Sequence, residues 1–178
     1  MKKSEMKELV RGAVEKKDLC RMSFKYSYDY FFYFPQKTSD RLFISAIHDD
    51  FIVDGFSIRR FSDLTDVHFY NDKRDEIIKA EGVLDGVEVP DVDILDWYSA
   101  LSTIKDMGKY IIIEHESLDD DEEEFYIGRI EKVLKNKVLF RHFDADGVWQ
   151  DEAYEIPFSQ ITSVTFGSRY VEVLSKYI

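Results

Sequence analysis

The chain has 178 residues and a formal net charge of −12 at pH 7, from 36 acidic and 24 basic side chains. This length suits one large domain or two small ones, and a hydrophobic share of 44 % is ample for a packed core. The phosphate backbone repels a chain this acidic unless its positive charge gathers on one face, so nucleic acid is not the expected partner.

Cysteine usage and hydropathy restrict the compartment. Cys20 is the only cysteine, so an intramolecular disulfide and a cysteine-based zinc site are excluded, as in many proteins of a reducing cytosol. The first 17 residues contain no apolar run of signal-peptide length. Apolar clusters such as residues 30–35 are too short to span a bilayer. We expect a cytoplasmic protein without a membrane segment.

Residues 1–18 predict a short amphipathic helix. Met6, Leu9, Val10 and Ala13 recur at helical spacing, and Ser4 is a candidate N-cap. Residues 1–25 are the only locally basic segment, with eight Lys or Arg against four acidic residues. A solvated helix face over a core stripe explains this charge, and a contact with a polyanion or a partner is the alternative.

Residues 19–82 predict a first small β-barrel unit. Polar and apolar residues alternate from Leu19 to Tyr26, which is the period of a half-buried strand. The ring block at residues 30–34 indicates core packing, with stacking on single-stranded nucleic acid as the alternative. Two short apolar runs and the Asp54-Gly55 turn follow. Four or five strands in about fifty residues are typical of a small barrel.

Residues 83–108 predict a linker and a connector helix. A brief helix, capped at Asn71 or Asp72, precedes them. Within residues 93–107 the apolar side chains keep the three-and-four spacing of a helix, Asp93 is the candidate cap and Gly108 the terminator. We expect its apolar stripe to pack between two β units, with Trp97 as the largest anchor.

Residues 109–178 predict a second barrel unit with a C-terminal helix. A strand at residues 109–116 leads into a run of six consecutive carboxylates within residues 118–124. Several strands and a helical tail follow. Because the loop has no turn-forming glycine, the acidic run is expected to be solvated, with loose binding of divalent cations as the alternative.

A nine-residue motif occurs twice, as FSDLTDVHF at residues 61–69 and as FSQITSVTF at residues 158–166. Three-residue spacing at its start is typical of a 3₁₀ turn, and two-residue spacing at its end is typical of a strand. We interpret the motif as the closure of a small barrel. Its structural residues are Phe61, Leu64, Val67 and Phe69 in the first copy and Phe158, Ile161, Val164 and Phe166 in the second.

This repeated motif resembles the closing turn of tandem Sm-like or SH3-like barrels found in uncharacterised bacterial proteins. The resemblance covers most of residues 19–70 and 109–178 and rests on a pattern of residue types. It implies a mainly β fold with accessory helices (α+β), in which two small barrels are joined by a helical connector. Sm-like proteins in general form rings and bind RNA. This chain differs in being acidic and in fusing two units.

No catalytic, cofactor-binding or metal-binding residue is singled out, because no nucleophile elbow, P-loop or dinucleotide glycine pattern is present. The first hypothesis is a non-catalytic binding or scaffold protein that contacts an unknown protein partner, with barrel edges that could also form a homodimer. The second is binding of RNA or single-stranded nucleic acid, for which only the amino-terminal helix with Arg59 and Arg60 could supply a basic patch. The third is an enzyme with scattered carboxylates and tyrosines.

Overall fold

A computed structural model of the chain describes residues 1–70 and 72–178. The strands are β1 (Cys20–Phe24), β2 (Tyr30–Thr38), β3 (Leu42–Asp49), β4 (Ile52–Arg60), β5 (Leu64–Phe69), β6 (Ile111–His115), β7 (Glu124–Val133), β8 (Lys137–Phe143), β9 (Tyr154–Pro157) and β10 (Ser163–Phe166). The helices are α1 (Lys3–Lys16), α2 (Lys73–Ala80), α3 (Trp97–Asp106) and α4 (Arg169–Leu174), with one 3₁₀ turn at Asp120–Glu122. Among these residues, no helix is long and apolar enough to cross a membrane.

The strands form one open antiparallel sheet in the order β5-β1-β2-β3-β4-β10-β6-β7-β8-β9. The prediction of a mainly β fold with accessory helices is confirmed. The prediction of two separate closed barrels is wrong, because β4 of the first half pairs with β10 of the second and makes the sheet continuous.

The two halves of the sheet repeat one topology. In the first half the order is β5-β1-β2-β3-β4, and in the second it is β10-β6-β7-β8-β9, so each half places its last strand beside its first. The pairing registers also correspond. Met22 faces Val67 across β1 and β5, and Ile113 faces Val164 across β6 and β10. The internal duplication suggested by the repeated motif therefore extends through all five strands.

Both halves carry the same irregularity at the same place. The register of β2 against β3 shifts between Pro35 and Lys37, and the register of β7 against β8 shifts between Ile130 and Lys132. A bulge bends a strand and increases its twist. The two bulges thus curve the two halves of the sheet in equivalent ways.

The repeated motif forms the same turn in each half. The backbone N–H of Phe61 donates to the carbonyl of Arg41 at 2.9 Å, and that of Phe158 donates to the carbonyl of Asn136 at 2.9 Å. Each bond ties the motif to the turn between the second and third strands of its own half. Leu64 and its counterpart Ile161 are fully buried.

Each half also begins with a helix that covers one face of its strands. The buried residues of α1 are Met6, Val10 and Ala13, and those of α3 include Trp97, Leu101 and Ile104. The first three precede β1 by the same number of residues by which the second three precede β6. The helix expected to be a connector is thus the counterpart of the amino-terminal helix. Trp97 packs in a core that includes residues of both halves.

Helix α3 starts later than the sequence pattern predicts. Asp96, not Asp93, is its N-cap, and the Asp96 carboxylate accepts a hydrogen bond from the Ser99 N–H at 2.9 Å. Ile94 is buried but lies before the helix, in chain without regular secondary structure. Helix α2 is capped by Asp72, which accepts from the N–H groups of Arg74 and Asp75, while the alternative cap Asn71 lies outside the described residues.

The junction between the halves contains a buried ion pair. Arg59 on β4 is 3 % exposed and donates to the carboxylate of Glu116, which follows β6. Its guanidinium carbon lies 4.5 Å from the ring centroid of Phe24 and 4.8 Å from that of Phe31. The Nη2 atom of Arg59 donates a hydrogen bond to the Tyr33 hydroxyl at 3.2 Å. A cation on β4 of the first half is thus paired with an acid from the second half.

We predict that Glu116→Gln destabilises the fold, because it removes the carboxylate that pairs directly with the buried Arg59 guanidinium. The expected loss in the free energy of unfolding is about 3 kcal/mol, measured by urea denaturation at pH 7. The matched control is Glu155→Gln, which removes the exposed Lys137–Glu155 pair and should cost less than about 1 kcal/mol. Equal, small effects of the two substitutions would contradict the structural role of the buried pair.

Candidate functional site

A groove with a volume of about 620 Å³ lies where the two halves of the molecule meet. It is built from both halves of the molecule. The first half contributes α1, the turn before β3 and the start of the first repeated motif. The second half contributes the start of α3, the turn between β7 and β8, and the first residue of the second motif. Equivalent elements of the duplicated fold thus face each other across it.

The floor of the groove is apolar. It is formed by Leu42, Phe61, Trp97 and Phe158, and by Tyr98 at its side. Leu42, Phe61 and Trp97 are buried, whereas the Tyr98 side chain is about half exposed. Such a surface favours an apolar side chain over water because burial removes apolar area from solvent.

The rim of the groove is basic. Five lining residues carry positive charge, namely Lys3, Lys7, Arg41, Arg60 and Lys135, against the two acidic residues Asp40 and Asp96. The Asp96 carboxylate is already engaged as the cap of α3. The groove therefore has the opposite charge from the chain as a whole.

Three of the five cations are held in place by the protein itself. The Lys3 ammonium donates to the carbonyls of Ser62 and Leu64, and the Arg60 guanidinium donates to the Asp63 carboxylate. Burial lowers the pKa of Lys3, with the charge of Asp63 opposing that shift. The Lys7 ammonium lies 5.4 Å from the ring centroid of Phe61.

The two remaining cations stand on opposite sides of the groove. Arg41 and Lys135 are both exposed, and each belongs to the turn between the second and third strands of its half. Exposed cations in this position can bind carboxylates of an incoming partner without first breaking a buried contact.

The repeated-motif residues divide between the two cores. Leu64 and Val67 lie in the first core with Met22 and Phe24. Their counterparts Ile161 and Val164 lie in the second core. Phe69 and Phe166 end the closing strands β5 and β10. Only Phe61 and Phe158 of this set reach the groove, where the structure brings them together with Trp97.

The basic patch anticipated from the sequence is partly assembled. Lys3 and Lys7 of α1 do meet Arg60, but Arg59 faces the other side of the sheet and is buried in the junction. Sequence reasoning missed Arg41 and Lys135, which are far from α1 along the chain. The available signal was that both residues lie in equivalent turns of the duplication, although at adjacent and not at matching positions.

The acidic run does not form a metal site in the part of the chain that the structure describes. No cluster of three or more candidate ligands occurs among those residues. Asp119 and residues 121–124 of the run are exposed, and the run ends where β7 begins.

Comparisons of this chain with protein-family models, with curated proteins and with solved structures give no match.

Proposed function

We propose that the protein is a non-catalytic binding protein that holds an acidic segment of a protein partner in the groove. One observation carries the proposal: a chain with a net charge of −12 gathers five cations around an apolar floor. Randomly distributed surface charges are not expected to collect around an apolar floor. This arrangement is complementary to a ligand that combines carboxylates with an apolar side chain.

The groove is suited to a short peptide. Its volume lies within the range of about 300–1,000 Å³ that is typical of ligand sites. An apolar side chain would contact Phe61, Trp97 and Phe158, and flanking carboxylates would reach Arg41 on one side and Lys135 on the other. Recognition of acidic motifs by basic clusters is a recurrent mode of peptide binding.

A protein segment fits this groove better than single-stranded nucleic acid. Base stacking needs exposed aromatic faces, but Phe61 is 3 % exposed and Trp97 is 6 % exposed. The Lys7 ammonium also covers the ring of Phe61. Only Tyr98 presents a largely free ring, so the floor offers an apolar anchor site and no stacking platform.

We predict that peptides selected against the wild-type chain from a random phage-displayed library carry Asp or Glu beside an apolar residue. The double variant Arg41→Glu/Lys135→Glu should bind the selected peptides at least about tenfold more weakly, because attractive charges become repulsive. Fluorescence polarisation with labelled copies of the selected peptides measures the loss.

The control for this experiment is Lys132→Glu/Lys176→Glu, which changes the net charge equally at exposed residues outside the groove. This variant should keep the affinity within about twofold, since it alters only long-range screened electrostatics. Selected peptides without acidic residues, or equal losses in the two double variants, would overturn the proposal.

Binding of single-stranded nucleic acid is the second candidate, favoured by a different observation. The guanidinium of Arg21 lies 5.1 Å from the ring centroid of Tyr30, and that of Arg74 lies 4.9 Å from that of Phe32. Arginine paired with aromatic rings is a feature of strand-binding surfaces.

For this candidate we expect labelled oligo-dT and oligo-U to bind at 20 mM salt and to dissociate as salt is raised, since phosphate contacts release counterions. Arg21→Ala should weaken binding, and Lys176→Ala serves as the control. Absence of binding at 20 mM salt removes nucleic acid from consideration and leaves the peptide proposal intact.

An enzyme with a carboxylate and tyrosine site receives little support. A smaller cavity does contain Glu122, Glu124 and two tyrosines. Both glutamates are exposed, whereas an acid–base pair requires two groups in unlike environments. We therefore assign no catalytic residue.

We further propose that each half derives from a small Sm-like or SH3-like barrel that was opened when the halves fused. Support comes from the strand order, with the last strand beside the first, and from the equivalent bulges in β2 and β7. The division into units at residues 19–82 and 109–178 would then be extended so that α1 and α3 each belong to the half that they cover.

If the protein forms a homodimer, we propose that the two copies do not pair through the edges of the sheet. Each free edge of the sheet carries an acidic residue at a position that is uncharged in the internal junction. Glu155 at one edge corresponds to Ile58, and Asp66 at the other corresponds to Ser163. Charged edges disfavour strand pairing between copies, so a homodimer would use another surface.

The cytoplasmic location is proposed from the single cysteine. Cys20 is buried and burial raises its pKa to about 12, which suits a thiol kept reduced in the cytoplasm.

A further inference from the structure

A second cavity, of about 300 Å³, lies in the second half of the molecule and shares no lining residue with the groove. Its walls include the aromatic or imidazole rings of His115, Tyr126 and Tyr154 and the carboxylates of Glu122 and Glu124. Tyr154 is half exposed and both glutamates are exposed, so the cavity is open to solvent.

Strand register identifies the counterpart of this cavity in the first half. Met22 faces Phe31 across β1 and β2, and Ile113 faces Tyr126 across β6 and β7. Tyr126 is therefore the counterpart of Phe31. Continuing along β1 and β6 by two residues makes His115 the counterpart of Phe24.

The same comparison identifies the residue that fills the counterpart space. Phe43 faces Arg59 across β3 and β4, and Val138 faces Ile156 across β8 and β9. Ile156, which lines the second cavity, thus occupies the backbone position of Arg59.

In the first half this space is filled by a cation. The guanidinium of Arg59 lies against the rings of Phe24 and Phe31, at 4.5 Å and 4.8 Å from their centroids, and pairs with Glu116. A planar guanidinium stacks on rings and binds a carboxylate at its edge, which is the arrangement that the first half shows.

In the second half the described lining of the cavity contains rings and acids but no lysine or arginine. Ile156 is too short and apolar to reach the rings as Arg59 does, while Glu122 and Glu124 supply negative charge. Tyr126 also belongs to a ring cluster with His142 and Tyr154, at centroid distances of 5.1 Å and 5.3 Å. Burial lowers the pKa of His142, with Glu124 opposing, so this neighbouring ring is neutral at neutral pH.

We infer that the second cavity binds a guanidinium group supplied from outside the chain, either on a small molecule or as the arginine side chain of a peptide. The group would lie against the ring of Tyr126 and donate hydrogen bonds to Glu122 and Glu124. This inference concerns a site separate from the groove and does not rest on the function proposed for it.

Two alternative ligands fit the cavity less well. A divalent cation needs at least three protein ligands or a comparable oxygen cage, and the described residues contain no such cluster. A lysine-type ammonium is a compact, strongly hydrated charge that gains less from stacking on rings than a guanidinium does.

The test uses the full chain and nuclear magnetic resonance titration of the side-chain signals of Tyr126 and His115. The probes are N-acetyl-arginine-methylamide, its citrulline counterpart and N-acetyl-lysine-methylamide. We expect saturable shifts of these signals with the arginine probe and none with the neutral citrulline probe. The lysine probe should bind more weakly than the arginine probe.

The variant Glu122→Gln/Glu124→Gln should weaken binding of the arginine probe by about tenfold, the effect of losing charge-assisted hydrogen bonds. The matched control is Glu123→Gln, in the same exposed loop but not in the cavity lining, and it should leave the affinity unchanged. Methylguanidine represents a small-molecule ligand, and the peptide Gly-Gly-Arg-Gly-Gly represents an arginine side chain of a peptide. The probe that binds with the higher affinity identifies which of these two forms the natural ligand takes.

A second variant reproduces the first half within the second. Ile156→Arg should place a guanidinium in the cavity, shift the Tyr126 signals in the absence of probe and abolish probe binding. No shift with the arginine probe at 20 mM, equal shifts with arginine and citrulline, or equal affinities in the glutamine double variant and the wild type would each overturn the inference. These criteria stand even where Ile156→Arg does not fold.

Discussion

The antiparallel pairing of β4 with β10 is the interaction on which the whole structure depends. It joins two five-stranded halves into one sheet and places Ile58 opposite Val164 at its centre. The rings of Phe56 and Phe166 stack beside them with centroids 5.7 Å apart. Because each of these strands would otherwise be an unpaired edge, the pairing satisfies backbone groups of both halves at once. The buried Arg59–Glu116 pair then adds a specific charge contact across the same junction.

The duplicated backbone carries different side chains at equivalent positions, and these differences define the two sites. Asp40 in the first half corresponds to Lys135 in the second, so the turns that face each other across the groove are not identical in charge. Arg59 corresponds to Ile156, so one half is filled by its own cation and the other retains a cavity. A common scaffold with divergent loops and interior residues is a familiar route to separate binding functions.

Local patterns in the sequence predicted the local structure well. The helical spacing of Met6, Val10 and Ala13 matches the buried face of α1, and the repeated motif indicated a duplication that the strand registers show in detail. The start of α3 was misplaced because Asp93 and Asp96 are both good caps, and because the burial of Ile94 outside the helix depends on tertiary packing.

The arrangement of the halves could not be predicted in the same way. Nothing in the local pattern of Ile58 indicates that its neighbour is Val164, more than a hundred residues away, since register across halves is decided by packing. The groove was missed for a related reason: Lys135 of the second half approaches Lys3 and Arg41 of the first half only when the two halves are joined. The repeated motif indicated a duplication, and the junction between the two halves creates the candidate site.

The central claim, that the halves share one sheet through β4 and β10, is tested most directly by backbone nuclear Overhauser effects in the isotope-labelled chain. The structure predicts cross-strand contacts between Ile58 and Val164 and between Phe56 and Phe166, together with slow amide exchange along β4. Contacts confined within each half, with rapid exchange of the β4 amides that face β10, would show two unconnected units and contradict the account.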